Sequence, residues 1–148
     1  MWSRPVWLTE AVTAIYEGLP VPLLLRHLRG TPFLPASLRL FGARIGRRVW
    51  LDTTDLTEFD LVTIGDEAEL SQHSGPQTHL FEDRVMKVGP VTLGARSAMG
   101  FNSIVLPGGR LDDDAHLGAL SLVMKGETIP AGTRWAGSPS RPSASPAG

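Results

Sequence analysis

Between Leu93 and Trp135 an apolar residue returns at every sixth position: Leu93, Met99, Val105, Leu111, Leu117, Val123, Ile129 and Trp135. A helix repeats every 3.6 residues and a strand every two, so neither element alone accounts for the pattern. The same step runs earlier through Ile45, Leu51, Ile64 and Leu70, with one residue beyond two hexads inserted between Leu51 and Ile64. Taking the apolar residue as position one, position five is mostly small: Ser97, Ser103, Gly109, Ala115 and Ser121, then Glu127 and Thr133. Gly94, Gly100 and Gly118 follow directly after an opening residue. A short fixed period signals stacked units that share one continuous core. Six residues per side and about eighteen per turn predict a triangular coil, an all-β solenoid. Small residues suit the inner side of its corners, and the glycines suit unusual backbone angles.

The periodicity breaks between Leu70 and Leu93. There "THLFEDRVMKVGP" reads as a loop excursion over 78–90, thrown out of the coil. Ahead of the coil the spacing changes to that of short helices. Leu8, Val12, Ile15 and Tyr16 fall on one side of a helix over Trp7–Gly18, with Thr9 as its cap. "VPLLLRHLRG" reads as a second helix stopped by Gly30, and "PASLRLFG" as a third, with Pro35 at its opening and Gly42 at its close. Residues 1–44 are thus an amphipathic cap with its arginines outward, 45–140 the coil, and 141–148 a flexible tail.

Composition narrows what such a coil can do. With 148 residues one domain can build a core without staples, and the absence of cysteine excludes disulfides, thiolate zinc sites and cysteine nucleophiles. A net charge of −1 leaves no footprint for nucleic acid. The longest apolar run, "LPVPLLL", is far short of the ~20 residues of a membrane crossing, and "MWSRPVWL" lacks the order of a signal peptide. Charge is nonetheless segregated. Arginines dominate up to Trp50, whereas Leu51–Glu69 holds Asp52, Asp55, Glu58, Asp60, Asp66, Glu67 and Glu69 and no base. That block is either a solvated face or a site that attracts a cation.

Among the four histidines, His27 sits on a helix flank, and His73 and His116 fall at corner or edge positions of regular hexads. His79 differs, because it stands where the coil opens into the excursion, and loops on rigid scaffolds often carry function. Asp83 and Arg84 follow it and either orient its imidazole or pair with each other. Zinc chemistry on three histidines finds no convincing third beside His79 and His116, so no metal is expected.

"VTIGDEAEL", "GPQTHL", "VTLGARSAMG" and "SLVMKGETIPAGTRWAGSPSRP" resemble, in order, blocks of the hexapeptide-repeat acyltransferases. "LRGTPFLPASLRLFGARIGRRVWLDTTDLTEFDLVTIG" and "QTHLFEDRVMKVG" are more closely similar to the C-terminal domain of ε-poly-lysine synthetase and related nonribosomal-peptide-synthetase-like proteins, over about residues 26 to 138. The resemblance implies a left-handed parallel β-helix, an exception to right-handed crossovers, assembled as a homotrimer or a pseudo-trimer of tandem domains. It implies that His79, in Thr78-His79, is the general base for an amine or hydroxyl attacking a thioester. It places an acceptor-binding carboxylate four residues before "VTIGD", at Glu58, with Asp55 and Asp60 adding to the field. It assigns donor binding to Lys125, Thr133 and Arg141.

The activity so implied is acyl transfer or condensation: an amine, such as that of an amino acid, attacks an aminoacyl or peptidyl thioester on a carrier protein's phosphopantetheine. The alternatives are a coenzyme A-dependent acetyltransferase and a trimerisation module without catalysis. No cofactor is expected to be tightly bound. The implied location is cytoplasmic, membrane-proximal if the chain is part of a larger anchored synthetase.

Overall fold

The computed structural model describes residues 25–40, 42–56 and 58–143, and Ala11 besides. Apart from Ala11, the helix expected over Trp7–Gly18 lies outside the described residues, as do residues 21–24 of the second expected helix and residues 144–148 of the expected tail.

The six-residue step becomes a chain that turns a corner at every hexad. A first turn lays down β1 (Arg44–Ile45) and β2 (Trp50–Leu51); its third side is an irregular segment ending in the 3₁₀ turn Phe59–Leu61. The second turn comprises β3 (Val62–Ile64), β4 (Glu69–Leu70) and β5 (Gly75–Pro76). Then comes the excursion, which is an antiparallel hairpin of β6 (His79–Glu82) and β7 (Val85–Val88), with His79 opposite Val88. Its base closes where the Gly89 N–H donates to the Thr78 carbonyl, 2.8 Å away. Two full turns follow: β8 (Val91–Leu93), β9 (Ala98–Met99), β10 (Ile104–Val105), then β11 (Arg110–Leu111), β12 (His116–Leu117), β13 (Leu122–Val123). β14 (Thr128–Ile129) and β15 (Arg134–Ala136) end the coil. β16 (Arg141–Pro142), at the start of the expected flexible tail, folds back antiparallel onto β15.

Strands stack in parallel on their counterparts one turn away, giving three sides. The first holds β1-β3-β8-β11-β14, the second β2-β4-β9-β12-β15, the third β5-β10-β13. On the first side Leu93, Leu111 and Ile129 are in register, which is the eighteen-residue turn read from the sequence. The opening residues point inward and are buried, among them Leu51, Ile64, Leu70, Leu93, Met99, Val105, Leu111, Leu117, Val123 and Ile129. Each such side chain contributes about 1.5–3 kcal/mol by leaving water. One rung escapes the apolar periodicity: Pro76 keeps the phase for one more hexad after Leu70, and β5 pairs with β10 before the hairpin departs.

The corners explain both the small residues and the glycines, the latter differently from expectation. Position five turns inward; Ser97 and Ser103 are buried there, and their hydroxyls donate to the carbonyls of Gly94 and Gly100 at 2.8 and 2.7 Å. Position four carries the positive φ, in Arg48, Glu67, His73, Arg96, Asn102, Asp114 and Leu120 as well as in Gly108, Gly126 and Gly132. Gly94, Gly100 and Gly118 do not have it. They are needed for proximity: a methyl group on Gly100 would lie 2.5 Å from the Ala119 nitrogen, and one on Gly94 would lie 2.6 Å from the Asp112 carbonyl carbon.

The cap closes the first turn. The helix α1 (Phe33–Leu40) begins two residues before Pro35, and Gly42, with φ of 97°, follows its end. Its buried Leu34 and Leu38 join Leu25 in the core cluster with Leu51 and Ile64. Of the second expected helix the described part is a 3₁₀ turn, Leu25–Leu28, followed by Gly30 at φ 68°. Not all of the cap's arginines merely face out. Arg39 donates from Nε to the Ile45 carbonyl at 2.9 Å, and Arg29 is half-buried.

Candidate active site

On the third side, the irregular first turn and the base of the hairpin bring together residues twenty positions apart. Gly75 packs beneath this segment so tightly that a methyl group there would stand 2.7 Å from the Asp55 carbonyl oxygen. Buried Phe59 anchors the 3₁₀ turn, and Glu58 is the residue that caps it. The Glu58 side chain, 8% exposed, therefore hangs over the point where β5 leaves the coil.

Among the described residues, Thr78 and His79 meet its carboxylate. Thr78, fully buried, donates its hydroxyl to Glu58 Oε2. His79 Nδ1 lies 3.0 Å from Oε1 and 3.1 Å from Oε2. An ionised carboxylate only accepts, so the imidazole proton belongs on Nδ1 and the lone pair on Nε2. The His79 side chain is 28% exposed, and the Phe81 ring lies edge-on to it at a centroid distance of 6.2 Å. His79 borders a cleft of about 400 Å³, lined also by Asp55, His73, Gln77, Asn102 and Ile104. The groups in place are a carboxylate, an oriented imidazole and an open cleft, which together can accept a proton from a bound nucleophile.

The remaining expected site residues distribute unevenly. Glu58, expected as an acceptor contact, touches Thr78 and His79. Asp55 does face the cleft, with Oδ2 4.0 Å from His73 Nδ1. Asp60 is exposed and lines neither cleft on this face. Asp83 and Arg84 form the hairpin tip, at φ 51° and 63°, at the opposite end of β6 from His79. No hydrogen bond or ion pair joins either of them to His79 or to each other among the described residues.

Lys125, at the corner after β13, reaches the hairpin: its Nζ lies 3.0 Å from Glu82 Oε2, and Lys87 Nζ lies 2.7 Å from the same oxygen. Hydrogen bonding to Lys87, then to Lys125, holds the Glu82 carboxyl below its usual range. Thr133 donates to the Pro130 carbonyl and accepts from Trp135 Nε1, on the corner between the first and second sides. Trp135 is partly buried against the core, and Arg141 is exposed on β16. His116 lies on β12 of the second side, and no group of three potential metal ligands gathers among the described residues.

The hexad pattern sets His73 at a solvated corner and singles out nothing at Asn102, yet both line the cleft. A signal for them does exist in the sequence: each is position four of its hexad, and such corners stack in a column, so Asn102 N–H donates to the Gln72 carbonyl at 3.1 Å.

No family model matches the chain. A delta-poly-L-ornithine synthetase of Acinetobacter baumannii (strain AB307-0294) is 53% identical over 142 residues, which is 96% of this chain and 11% of that protein. The chain thus spans about a tenth of its curated relative, which is a poly-ornithine rather than the poly-lysine synthetase that the motifs resemble. Among solved structures, a hexapeptide-repeat containing acetyltransferase from Vibrio cholerae aligns with 93% of this chain and 92% of its own at TM-score 0.64 and 15% identity. A maltose O-acetyltransferase from Clostridium difficile 630 aligns over 91% and 86%, at TM-score 0.64 and 17% identity. A point mutant of the Bacillus cereus N-acyltransferase AntD, in complex with dTDP-4-amino-4,6-dideoxyglucose and coenzyme A, covers 68% of this chain and 58% of its own, at TM-score 0.52 and 18% identity. These likenesses establish a shared fold, that of hexapeptide-repeat acetyltransferases.

Proposed function

We propose that this chain is an acyltransferase that forms an amide, with His79 as general base and Glu58 as the carboxylate that orients it. The observation that carries this reading is the buried Glu58 holding His79 Nδ1 at 3.0 Å while the ring borders a cleft. The stacked hexads would wind in the left-handed sense, and three copies, or three tandem domains, would share sites.

In this reading a neutral amine in the cleft attacks the carbonyl carbon of a thioester. As the C–N bond forms, His79 Nε2 takes a proton from the amine nitrogen, and Glu58 stabilises the resulting imidazolium. Collapse of the tetrahedral oxyanion breaks the C–S bond, and the imidazolium returns its proton to the departing thiolate. The chain has no cysteine, so attack in a ternary complex needs no covalent enzyme intermediate. The donor is a coenzyme A or carrier-borne phosphopantetheine thioester. The corner below the hairpin fits a narrow arm: its position-four residues are Gly108 and Gly126, and a methyl group on Gly126 would meet nothing within 4 Å. Lys125 stands beside that corner, available to a phosphate if it leaves Glu82. Thr133 and Arg141 lie elsewhere on the coil, so a part in donor binding would require a neighbouring copy.

The carrier-borne, peptide-synthetase version of this reading is favoured over a free-standing acetyltransferase by the synthetase match over 96% of the chain. By the same reading the domain works as a section of a larger synthetase beside its carrier protein. Replacing His79 by Ala should lower acyl transfer by about 10²–10⁴-fold while circular dichroism and the thermal midpoint stay near those of the parent. Undiminished turnover on a loaded carrier would reject His79 as the base, and folded, trimeric protein inert toward both carrier and coenzyme A thioesters would reject the enzyme.

A further inference from the structure

A second cleft, of about 360 Å³, opens beside the first and is lined by Arg29, Thr53, Thr54, Asp55, Gln72 and His73. Asp55 and His73 line both clefts, so the two adjoin at these side chains. Arg29 is held there by the backbone: Gly30 donates to the Leu51 carbonyl at 2.7 Å and turns at φ 68°, against the Trp50 ring. Arg29 is half-buried, and no carboxylate pairs with it among the described residues. Facing the same space, the exposed Asp55 carboxylate has, among the described residues, the 4.0 Å approach of His73 as its nearest charged partner. The two opposite charges line one cleft, so a single ligand bearing a carboxylate and an ammonium would answer both.

We infer that this second cleft is a head-group subsite for an α-amino acid, Arg29 gripping the carboxylate and Asp55 the α-ammonium. The planar fork of arginine matches a carboxylate bidentately, which a lysine would not. Thr54 and Gln72 supply neutral partners for the remaining lone pairs and protons. A head group seated here sends the rest of its molecule past His73 into the cleft of His79, so the subsite selects which end of the acceptor reaches the imidazole. The inference rests on the reading of that cleft as the acceptor site. A hydroxylic sugar acceptor would leave both charges unanswered.

Three probes of equal reach test it by calorimetric titration: L-ornithine, 1,4-diaminobutane without the carboxylate, and 5-aminopentanoate without the α-ammonium. The parent protein should bind ornithine at least about tenfold more tightly than either. Arg29→Gln should abolish the preference over diaminobutane and Arg29→Lys restore part of it, while Asp55→Asn should abolish the preference over aminopentanoate. Equal binding of all three probes, no binding of any, or preferences unchanged in the variants would overturn the subsite. His79→Ala should keep every preference. Loss of the acyltransferase reading therefore shows only in turnover, and loss of the subsite only in these affinities.

Discussion

At the scale of single residues, the proposed chemistry hangs on one hydrogen bond. Glu58 and His79 are far apart in sequence, and the carboxylate is nearly sealed from water by the fold while the ring is not. An imidazole free to rotate, or protonated on the wrong nitrogen, is a poor base, and a carboxylate behind it fixes both properties. Glu58→Gln keeps the shape and removes the charge. It should lower kcat by roughly 10–10³-fold with little change in the KM of the amine, because transition-state imidazolium is what the charge stabilises. Steady-state kinetics decide the matter: an unchanged kcat with a raised KM would return Glu58 to the acceptor-contact role read from the motif.

Among elements, the hairpin β6–β7 has the least support from the coil. Its outward Phe81, Val85 and Val88 are 68%, 57% and 52% exposed, so burial contributes little to holding it. Among the described residues, what ties it to the coil beyond its own base is Glu82, which pairs with Lys87 within the hairpin and with Lys125 on the coil. Since pairing lowers the Glu82 carboxyl's pKa, the tie is fully present above the unfolded carboxylate value of about 4.3 and is lost as pH falls through the folded value. Hydrogen-exchange protection across His79–Val88, corrected for intrinsic rates, should therefore drop below about pH 4, and Glu82→Gln should show the low protection at every pH. Equal protection at pH 7 and pH 3 in the parent protein would show that the tether holds nothing. The opposite corner carries its own ladder, Arg96 bonding Asp114 through two 2.7 Å contacts, which raises the arginine's pKa and lowers the aspartate's. It lies away from the hairpin, so the two responses are separable by residue.

The whole molecule is a stack, and its tolerance is set by how closely successive turns approach. Where backbone meets backbone, as Gly100 meets Ala119, no side chain fits without shifting a rung. Gly100→Ala should cost about 2–3 kcal/mol by overpacking. Gly126→Ala, with open space but φ of 70°, should cost only about 1 kcal/mol in backbone strain. Urea midpoints at constant m measure both, and the reverse order would mean that corner conformation rather than rung spacing limits the coil.

The hexad was legible because a coil of this kind repeats one local decision: an inward apolar residue, a tight turn, a small residue at the corner. Periodicity reads such decisions without knowing what they pack against, so the core from Ile45 to Ile129, the corners and the site of the excursion all followed from it. His79 was legible as the residue where the pattern stops. Which group stands behind its ring was not. Glu58 lies in the irregular third side of the first turn, where no hexad sets the phase, and only the stacking of that segment on Gly75 brings it to Thr78 and His79. Arg29 was hidden for the same reason, as one of many arginines in the cap until Gly30 turned it against the coil. Local patterns are written along the chain, whereas contacts between turns depend on the register with which the turns stack, and register exists only in the folded molecule.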